Sequence, residues 1–290
     1  LASGPHEIPA KGFITTTCEE LFGSGHGIAN AFMAVETADG PGIVGFARTE
    51  IPGIRTALGL NAIEPGPECL LYSAQMADGV NIVTNIRLIN TSPETRQLRF
   101  RAIAPDGAMI GSEIPYELCS QCVVERDFGE LFSLSGSGII VGSLEVEASG
   151  GGVIGDVIFA DGENLEYAMS MPLQTKLFEE AVFNHVAHLP VIFTGIALYN
   201  PGDTTADINI SVFDLDGQVA AVKSLQLPAG NRISRTMIDA DMWPALPYQS
   251  GGYIKVQSSR PIVGQQLFGD VALRYMAAIP PTTRLEPMFD

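Results

Sequence analysis

Two short-range pairs of residues have the types and the spacing that metal or redox chemistry needs. One is His185 and His188, an H-x-x-H pair, and the other is Cys119 and Cys122, a C-x-x-C pair. Imidazole nitrogens and thiolates are usual ligands of zinc, and paired thiols also exchange disulfides. Residues three apart on a strand point to opposite faces, so the two histidines cannot easily chelate one ion. Their spacing therefore favours a structural role for both rings.

The four cysteines favour disulfide bonding over catalysis. A thioredoxin-type thiol needs a helix N-terminus in a βαβ setting to lower its pKa, but the residues around Cys119 and Cys122 have turn and strand chemistry. We therefore predict a local Cys119–Cys122 disulfide, with a redox-active pair and a zinc site as alternatives. Of the three pairings that can be drawn, we favour the one that also joins Cys18 to Cys69. An even number of cysteines fits an oxidising compartment.

Carboxylates are frequent in the last third of the chain, at Asp203, Asp207, Asp214, Asp216, Asp239 and Asp241. Paired carboxylates can bind Ca²⁺ when backbone oxygens supply the other ligands. The run from Asp214 to Gly217 resembles the start of an EF-hand loop, but it lacks the distal Glu. We therefore predict a hairpin turn there and no cofactor, with a structural calcium ion as an alternative that no motif supports.

The single tryptophan, Trp243, lies in the run DMWPALPY together with Tyr248. Sugar-binding platforms use flat, exposed aromatic rings, so these two residues are our candidates for a ligand surface. For Trp243 itself we favour a place inside the fold, where its ring closes one end of the sandwich, because tryptophan is highly buried on average.

Motifs of nucleophilic and nucleotide chemistry are missing from the sequence. There is no G-x-S-x-G elbow, no P-loop, and no G-x-G-x-x-G between a predicted strand and a predicted helix. We therefore predict that the protein is not an enzyme.

Composition limits the partners and the location. The formal net charge of −17 repels phosphate backbones, so we expect no nucleic acid partner. No run of 18 apolar residues occurs, so we expect no insertion into a membrane. The first residues lack the pattern of a signal peptide, and we expect the chain to begin inside a longer precursor. A small fraction of charged residues (17%), an even number of cysteines and frequent Gly and Pro favour an extracellular or cell-surface protein.

The elements that carry these residues follow a repeated pattern. The segments 85–110 and 195–220 match at an offset of 110 positions, which relates Ile86 to Ile196. In each segment apolar residues alternate with polar ones, as at Leu98, Phe100 and Ala102. An Asp-Gly step, typical of a hairpin turn, follows each alternating run. This period of two predicts antiparallel strands with one buried face.

The second half of the unit occurs three times, and each copy includes an acidic, apolar stretch that could form one short helical turn. We therefore divide the chain into residues 1–64, the second half of a unit; 69–178, a full unit; 179–281, another full unit; and 282–290, a tail. The predicted fold class is all-β, with tandem antiparallel β-sandwich (immunoglobulin-like) domains.

The best-defined unit carries a series of motifs, VFNHVAHLP, TGIALYNPGD, DLDG, LPAG and the predicted hairpin GGYIKVQSSRPIVG. This series resembles an immunoglobulin-like β-sandwich repeat of large secreted bacterial surface proteins, a family of unassigned function. Residues 69–178 match it more loosely. The resemblance implies a sandwich fold and a surface location, and it transfers no catalytic residue.

The missing first half of the first unit suggests how the protein could act. A half sandwich exposes an apolar face and strand edges, so strands from a neighbouring chain could complete residues 1–64. Our prediction is an extracellular structural or adhesive component that acts through protein contacts and assembles head-to-tail into a filament or array. The alternatives are a boundary within a longer protein, for the half unit, and a carbohydrate- or peptide-binding module of a larger secreted protein, for the function.

Overall fold

The computed structural model describes residues 3–9, 12–24, 32–37, 43–50, 57–134, 138–161 and 167–283. Residues 1–35 and 36–290 form two compact units. The predicted tail, 282–290, lies outside the described residues from position 284 onward.

The smaller unit contains one short helix, α1 (Cys18–Phe22). Its start is fixed by a capping box, in which Thr17 Oγ1 accepts from Glu20 N–H at 3.2 Å and Thr17 N–H donates to Glu20 Oε2 at 2.8 Å. The same acidic, apolar pattern forms α2 (Phe128–Leu131) in the larger unit. In the third copy it forms only a turn, in which Trp243 N–H donates to Asp239 O.

Strands account for nearly all other regular structure, which confirms the all-β fold class. The first ten are β1 (Phe46–Glu50), β2 (Ala57–Asn61), β3 (Leu70–Asp78), β4 (Val83–Asn90), β5 (Arg96–Ile103), β6 (Met109–Leu118), β7 (Val123–Asp127), β8 (Ile140–Ala148), β9 (Val153–Ala160) and β10 (Ala168–Pro172). The others are β11 (Phe178–Phe183), β12 (Ala187–His188), β13 (Ile192–Tyr199), β14 (Ala206–Phe213), β15 (Val219–Leu227), β16 (Arg232–Thr236), β17 (Gln249–Ser250), β18 (Tyr253–Asp270) and β19 (Met276–Ile279).

Two sandwich-like modules share one strand order. In the first module, β3 to β10, the antiparallel sheets are β3-β8-β5-β6 and β10-β9-β4-β7. In the second module, β11 to β19, they are β11-β18-β14-β15 and β19-β18-β13-β16. A separate apolar core fills each module. The predicted alternation is confirmed, because Leu98 and Phe100 in β5 and Ile208 in β14 are buried at corresponding positions.

The strand β18 differs from the predicted hairpin. It is continuous over 18 residues and contributes to both sheets of the second module, whereas the first module divides this path into β8 and β9. Pro261 lies where β18 passes from its pairing with β14 to its pairing with β13. A proline is tolerated there because neither ladder needs its missing N–H. The motif therefore marks a change of sheet rather than a turn.

Each module has one buried asparagine whose side chain hydrogen-bonds the carbonyls of corresponding loops. Asn90 Nδ2 donates to the carbonyls of Glu94, Leu118 and Cys119 at 2.7 to 3.2 Å. Asn200 Nδ2 donates at 2.8 to 3.2 Å to the corresponding carbonyls, those of Thr204, Leu227 and Pro228. Both side chains are fully buried. The matched asparagines therefore hold strand ends together from inside and do more than start a turn.

Candidate functional site

A buried polar contact joins the two modules around Arg232 of β16. This side chain is buried, with 4% of its surface exposed. Its Nε donates to Ala74 O at 3.0 Å, and its terminal NH2 group donates to Gln75 Oε1. Its backbone N–H donates to Pro105 O at 3.2 Å. One residue of the second module is thus bonded to two separate segments of the first.

The charge of Arg232 is met by neutral oxygens. Burial, and to a smaller extent the charge of Arg235, lowers the pKa of Arg232 to about 10. The guanidinium therefore stays protonated near neutral pH and keeps its donors aimed at Ala74 O and Gln75 Oε1. A buried charge that loses such partners is costly, so the contact favours one fixed arrangement.

Two glutamines extend the contact on either side. Ser73 Oγ lies 3.1 Å from Gln265 Oε1 and 2.8 Å from Gln75 O, and these two oxygens share its single hydroxyl proton. Gln174, in the segment between the modules, donates from Nε2 to Gly264 O at 2.7 Å and accepts from Gly264 N–H at 3.4 Å. Because the second pair bonds in both directions, it fixes the orientation of the connecting segment relative to β18.

An apolar cluster lies beside these bonds. Its buried members come from both modules: Tyr72, Ala74, Ile103, Ala197, Tyr199 and Val263. Three half-buried residues of β18 and β19 also pack against the core of the first module: Leu267, Met276 and Ala278. The contact therefore combines apolar burial with directed hydrogen bonds, which is the composition of a stable interface core.

Tyr199 links this contact to an ionic network on the first module. Its hydroxyl donates to Glu145 Oε1 at 2.8 Å. Burial, with the nearby charge of Glu145, raises the pKa of Tyr199 above its ordinary value, so the phenol keeps its proton. Arg101 joins Glu145, Glu113 and Glu147 in ion pairs on the same sheet. The hydrogen bond to Glu113 is the main cause that raises the pKa of Arg101.

The corresponding sheet of the second module has a different surface. A shallow groove of about 450 Å³ crosses it, with a lining that includes Asp207, Asn209, Ser224, Gln226 and Gln257. Gln226 Nε2 donates to Asp207 Oδ1 at 2.9 Å, and Ser224 Oγ donates to Asn209 Oδ1 at 3.0 Å. This face is thus largely neutral and polar where the first module is ionic.

The two histidines of the H-x-x-H pair, His185 and His188, lie close to aromatic rings. The ring of His185 is 4.3 Å from that of Phe268, and the ring of His188 is 5.1 Å from that of Tyr248. Burial lowers the pKa of both histidines. Within the described ranges, no group of three or more His, Cys, Asp or Glu residues is arranged to hold a metal ion.

The cysteines form one bond. Cys119 and Cys122 are joined in the loop after β6, with their Cα atoms 5.4 Å apart. Cys18 and Cys69 are free and exposed, so the predicted Cys18–Cys69 bond is not formed. That pairing came only from assigning the two cysteines left over, whereas the short spacing of Cys119 and Cys122 carried direct information.

Trp243 is buried, as its residue type favours, and only Tyr248 of the two candidate ligand-surface residues is exposed. Trp243 is only 4% exposed and belongs to the core of the second module, so its ring cannot serve as an open platform. Tyr248, the other predicted residue, is 68% exposed. A small groove of about 230 Å³ runs beside Trp243 between β15 and residues 242–246. Apolar and small residues line it.

The predicted hairpin turn at residues 214–217 is confirmed. Asp214 Oδ1 accepts the N–H groups of Asp216 and Gln218 at 3.0 and 2.8 Å, and Gly217 has a φ of 74°. This carboxylate is thus used inside its own turn. Among the described residues, no helix has the length and apolar character needed to cross a bilayer.

No protein-family model matches the chain, and no curated protein matches it. Solved structures give weak likenesses. A β-glucuronidase from glycoside hydrolase family 2 matches at 8% identity and a TM-score of 0.17, over 74% of this chain and 24% of its own. Bifidobacterium dentium β-glucuronidase complexed with coumarin-3-O-glucuronide matches at 10% identity and a TM-score of 0.18, over 82% of this chain and 46% of its own. A glycosyl hydrolase family 2 member from Bacteroides cellulosilyticus DSM 14838 matches at 7% identity and a TM-score of 0.16, over 83% of this chain and 35% of its own.

The chain thus spans less than half the length of each of these three chains. Likenesses at such TM-scores carry no information about activity.

Sequence reasoning missed the residues that join the modules. Arg232 and Gln265 lie within strands without a recognisable motif, and Gln174 lies in a connecting segment. Arg232 and Val123 occupy matched positions, because Arg232 pairs with Tyr199 in the second module and Val123 pairs with Ile89 in the first. A charged residue in one repeat where the other has an apolar residue is the one signal that the sequence carried.

Proposed function

We propose that the protein is an extracellular structural component in which two modules of a tandem repeat act as one rigid spacer that presents its surfaces to protein partners. The observation that supports this most is the buried contact around Arg232. A flexible pair of domains has no need for a buried guanidinium that bonds two segments of its neighbour, whereas a spacer of fixed length does.

The disulfide and the fold class support the location. A Cys119–Cys122 bond persists in oxidising surroundings and is rare in the cytosol. The all-β modules, with their resemblance to repeats of secreted bacterial surface proteins, fit the same setting. The polar groove and Tyr248 keep carbohydrate or peptide binding as the alternative function, although burial of Trp243 removes its strongest platform.

Completion of residues 1–64 by strands from a neighbouring chain is a separate part of the proposal. Its support is local. The strands β1 and β2 pair over five residues each, in the same antiparallel manner as β9 and β10. Val44, which precedes β1, and Phe46 in β1 are 98% and 68% exposed, so this strand pair carries apolar surface that a further strand could cover.

Single-molecule stretching tests the spacer. The native thiol of Cys69, which is exposed just before β3, provides one handle in a Cys18→Ser background, and a C-terminal tag provides the other. We expect the first extension step of the wild type to be the unfolding of a module. Arg232→Ala should add an earlier step at lower force as the contact opens.

Arg235→Ala is the matched control, because this residue lies on the same strand and is half-exposed. It should behave like the wild type. An early low-force opening in the wild-type protein would refute the rigid spacer.

A further inference from the structure

The two modules have corresponding positions, so a contact on one can be located on the other. Ala77 N–H donates to Thr84 Oγ1, which donates to Ala77 O, and Ala187 and Thr194 make the same two bonds. The turns after β5 and β14 correspond as well, because Gly107 N–H donates to Ala104 O as Gly217 N–H donates to Asp214 O.

In the first module, the positions at one end are covered by the second module. Tyr72, Ala74 and Ile103 are 7%, 0% and 8% exposed, and all three belong to the cluster between the modules. Gly107 lies so close to the second module that an added Cβ would be 2.8 Å from Asn231 Oδ1. This end of the first module is therefore a receiving surface for a neighbouring module.

Among residues 57–134, 138–161 and 167–283, none covers the corresponding end of the second module. Asn184 and Leu215 are exposed, Leu215 at 77%. Phe213 and Tyr253 are half-buried and stack on each other at 4.5 Å, between centroids. A Cβ added to Gly217 would meet nothing within 4 Å, in contrast to the crowding at Gly107. An apolar surface thus stands where the first module has a contact.

The face that the second module contributes to the contact also has a counterpart on the first module. On the second module it includes Tyr199, Arg232 and Val263, whose matched positions on the first module are Ile89, Val123 and Ile154. These three residues are apolar and half-buried. The first module has Val123 at the position matched to Arg232. An apolar side chain at this position suits the open end of the second module, which offers the apolar side chains of Leu215 and Phe213.

We propose that the open end of the second module, defined as Asn184, Phe213, Leu215 and Tyr253, binds the Ile89, Val123 and Ile154 face of a second copy of this chain. The proposal rests on the proposed function, because it repeats between molecules the rigid contact that joins the modules within one. The surfaces on the two partners differ, so the contact is head-to-tail and propagates into an open assembly.

Assembly through this contact needs a high protein concentration. Within the chain, the short connecting segment supplies an effective concentration on the order of 1 mM, which separate molecules lack. Each chain also carries a net charge of −17, and this repulsion is screened beyond about 8 Å at about 0.15 M salt.

Sedimentation velocity over a concentration series up to about 1 mM, at about 0.15 M salt, tests the proposal. We expect the average mass of the wild type to rise above 30.8 kDa with concentration. Leu215→Asp should stay monomeric, because it replaces the most exposed apolar side chain of this surface with a third carboxylate beside Asp214 and Asp216. Val191→Asp is the matched control and should associate like the wild type, since Val191 is 58% exposed in the turn before β13.

Crosslinking tests the direction of the contact. In a Cys18→Ser, Cys69→Ser background, Asn184→Cys and Val123→Cys proteins are prepared separately and treated with a short bis-maleimide. We expect covalent dimers when the two proteins are mixed and few when either is treated alone.

Two results would overturn the proposal: a wild type that stays at 30.8 kDa throughout, or a Leu215→Asp variant that associates as strongly as the wild type. A monomeric wild type that still stretches without an early low-force step would remove this inference alone. An early step would instead remove the spacer function on which it rests.

Discussion

At the scale of single residues, the contact between the modules depends on a few polar side chains with no freedom to rearrange. Arg232 Nε donates to Ala74 O of the first module at nearly full burial, and Gln174 Nε2 of the half-buried connecting segment donates to Gly264 O of the second. A buried donor that loses its acceptor pays the full cost of leaving water, so these bonds act as an all-or-none set. They define one relative orientation where apolar packing alone would permit several.

Burial of His188 and partial burial of His185 lead to a pH dependence of stability. Burial lowers the pKa of His185 and His188 below the ordinary value of 6.5, so the native state favours neutral rings. The stability that this burial provides is complete above the ordinary pKa and is lost as the pH falls through the lower native value. We expect the urea midpoint of the second module to fall between about pH 7 and about pH 5. Fluorescence of Trp243, the only tryptophan, reports this module.

His185→Gln provides the comparison, because the first module has Gln75 at the corresponding position. Its midpoint should change less over the same range. A wild-type midpoint that is constant from about pH 7 to about pH 5 would contradict the assignment.

At the scale of elements, the sequence predicts what depends on near neighbours. Leu98, Phe100 and Ile208 alternate with polar residues, and a period of two is enough to predict buried strand faces. The spacing of Cys119 and Cys122 is similarly local. The average burial of tryptophan favours a place inside the fold for Trp243, but no short-range pattern encodes the path by which residues 237–246 fold over the core.

The continuous strand β18 shows the same limit. The residues around Pro261 have the chemistry of a turn, but pairing with β14 on one side and β13 on the other keeps the strand extended. Tertiary pairing thus overrides local preference. The residues of the module contact were missed for the same reason, since Arg232 meets Ala74 across 158 positions of sequence.

The asparagine that fastens each module gives a prediction at this scale. Asn200→Ala removes three donated hydrogen bonds and leaves the carbonyls of Thr204, Leu227 and Pro228 without that donor. We expect a loss of about 1–3 kcal/mol in the free energy of unfolding of the second module, measured by urea denaturation with Trp243 fluorescence.

Asn209→Ala is the control, since Asn209 lies on the outer face and accepts one exposed hydrogen bond from Ser224. Its effect should stay within about 0.5 kcal/mol. Equal losses in the two variants would show that Asn200 has no special structural role.

At the scale of the whole molecule, the two modules and the contact between them account for the proposed function. Residues 36–290 form one compact unit rather than two, although two separate apolar cores lie within it. The proposed function requires the two modules of this unit to keep a fixed separation and the second module to receive the next copy. This function therefore depends on whether the modules stay fixed relative to each other in solution.

The distance between spin labels on the two modules measures this most directly. Labels at Glu117→Cys and Gln226→Cys, both exposed, are placed in a Cys18→Ser, Cys69→Ser background and diluted with unlabelled protein. We predict a single narrow distance distribution that broadens in the Arg232→Ala variant. A broad or multiple distribution with Arg232 intact would contradict the account.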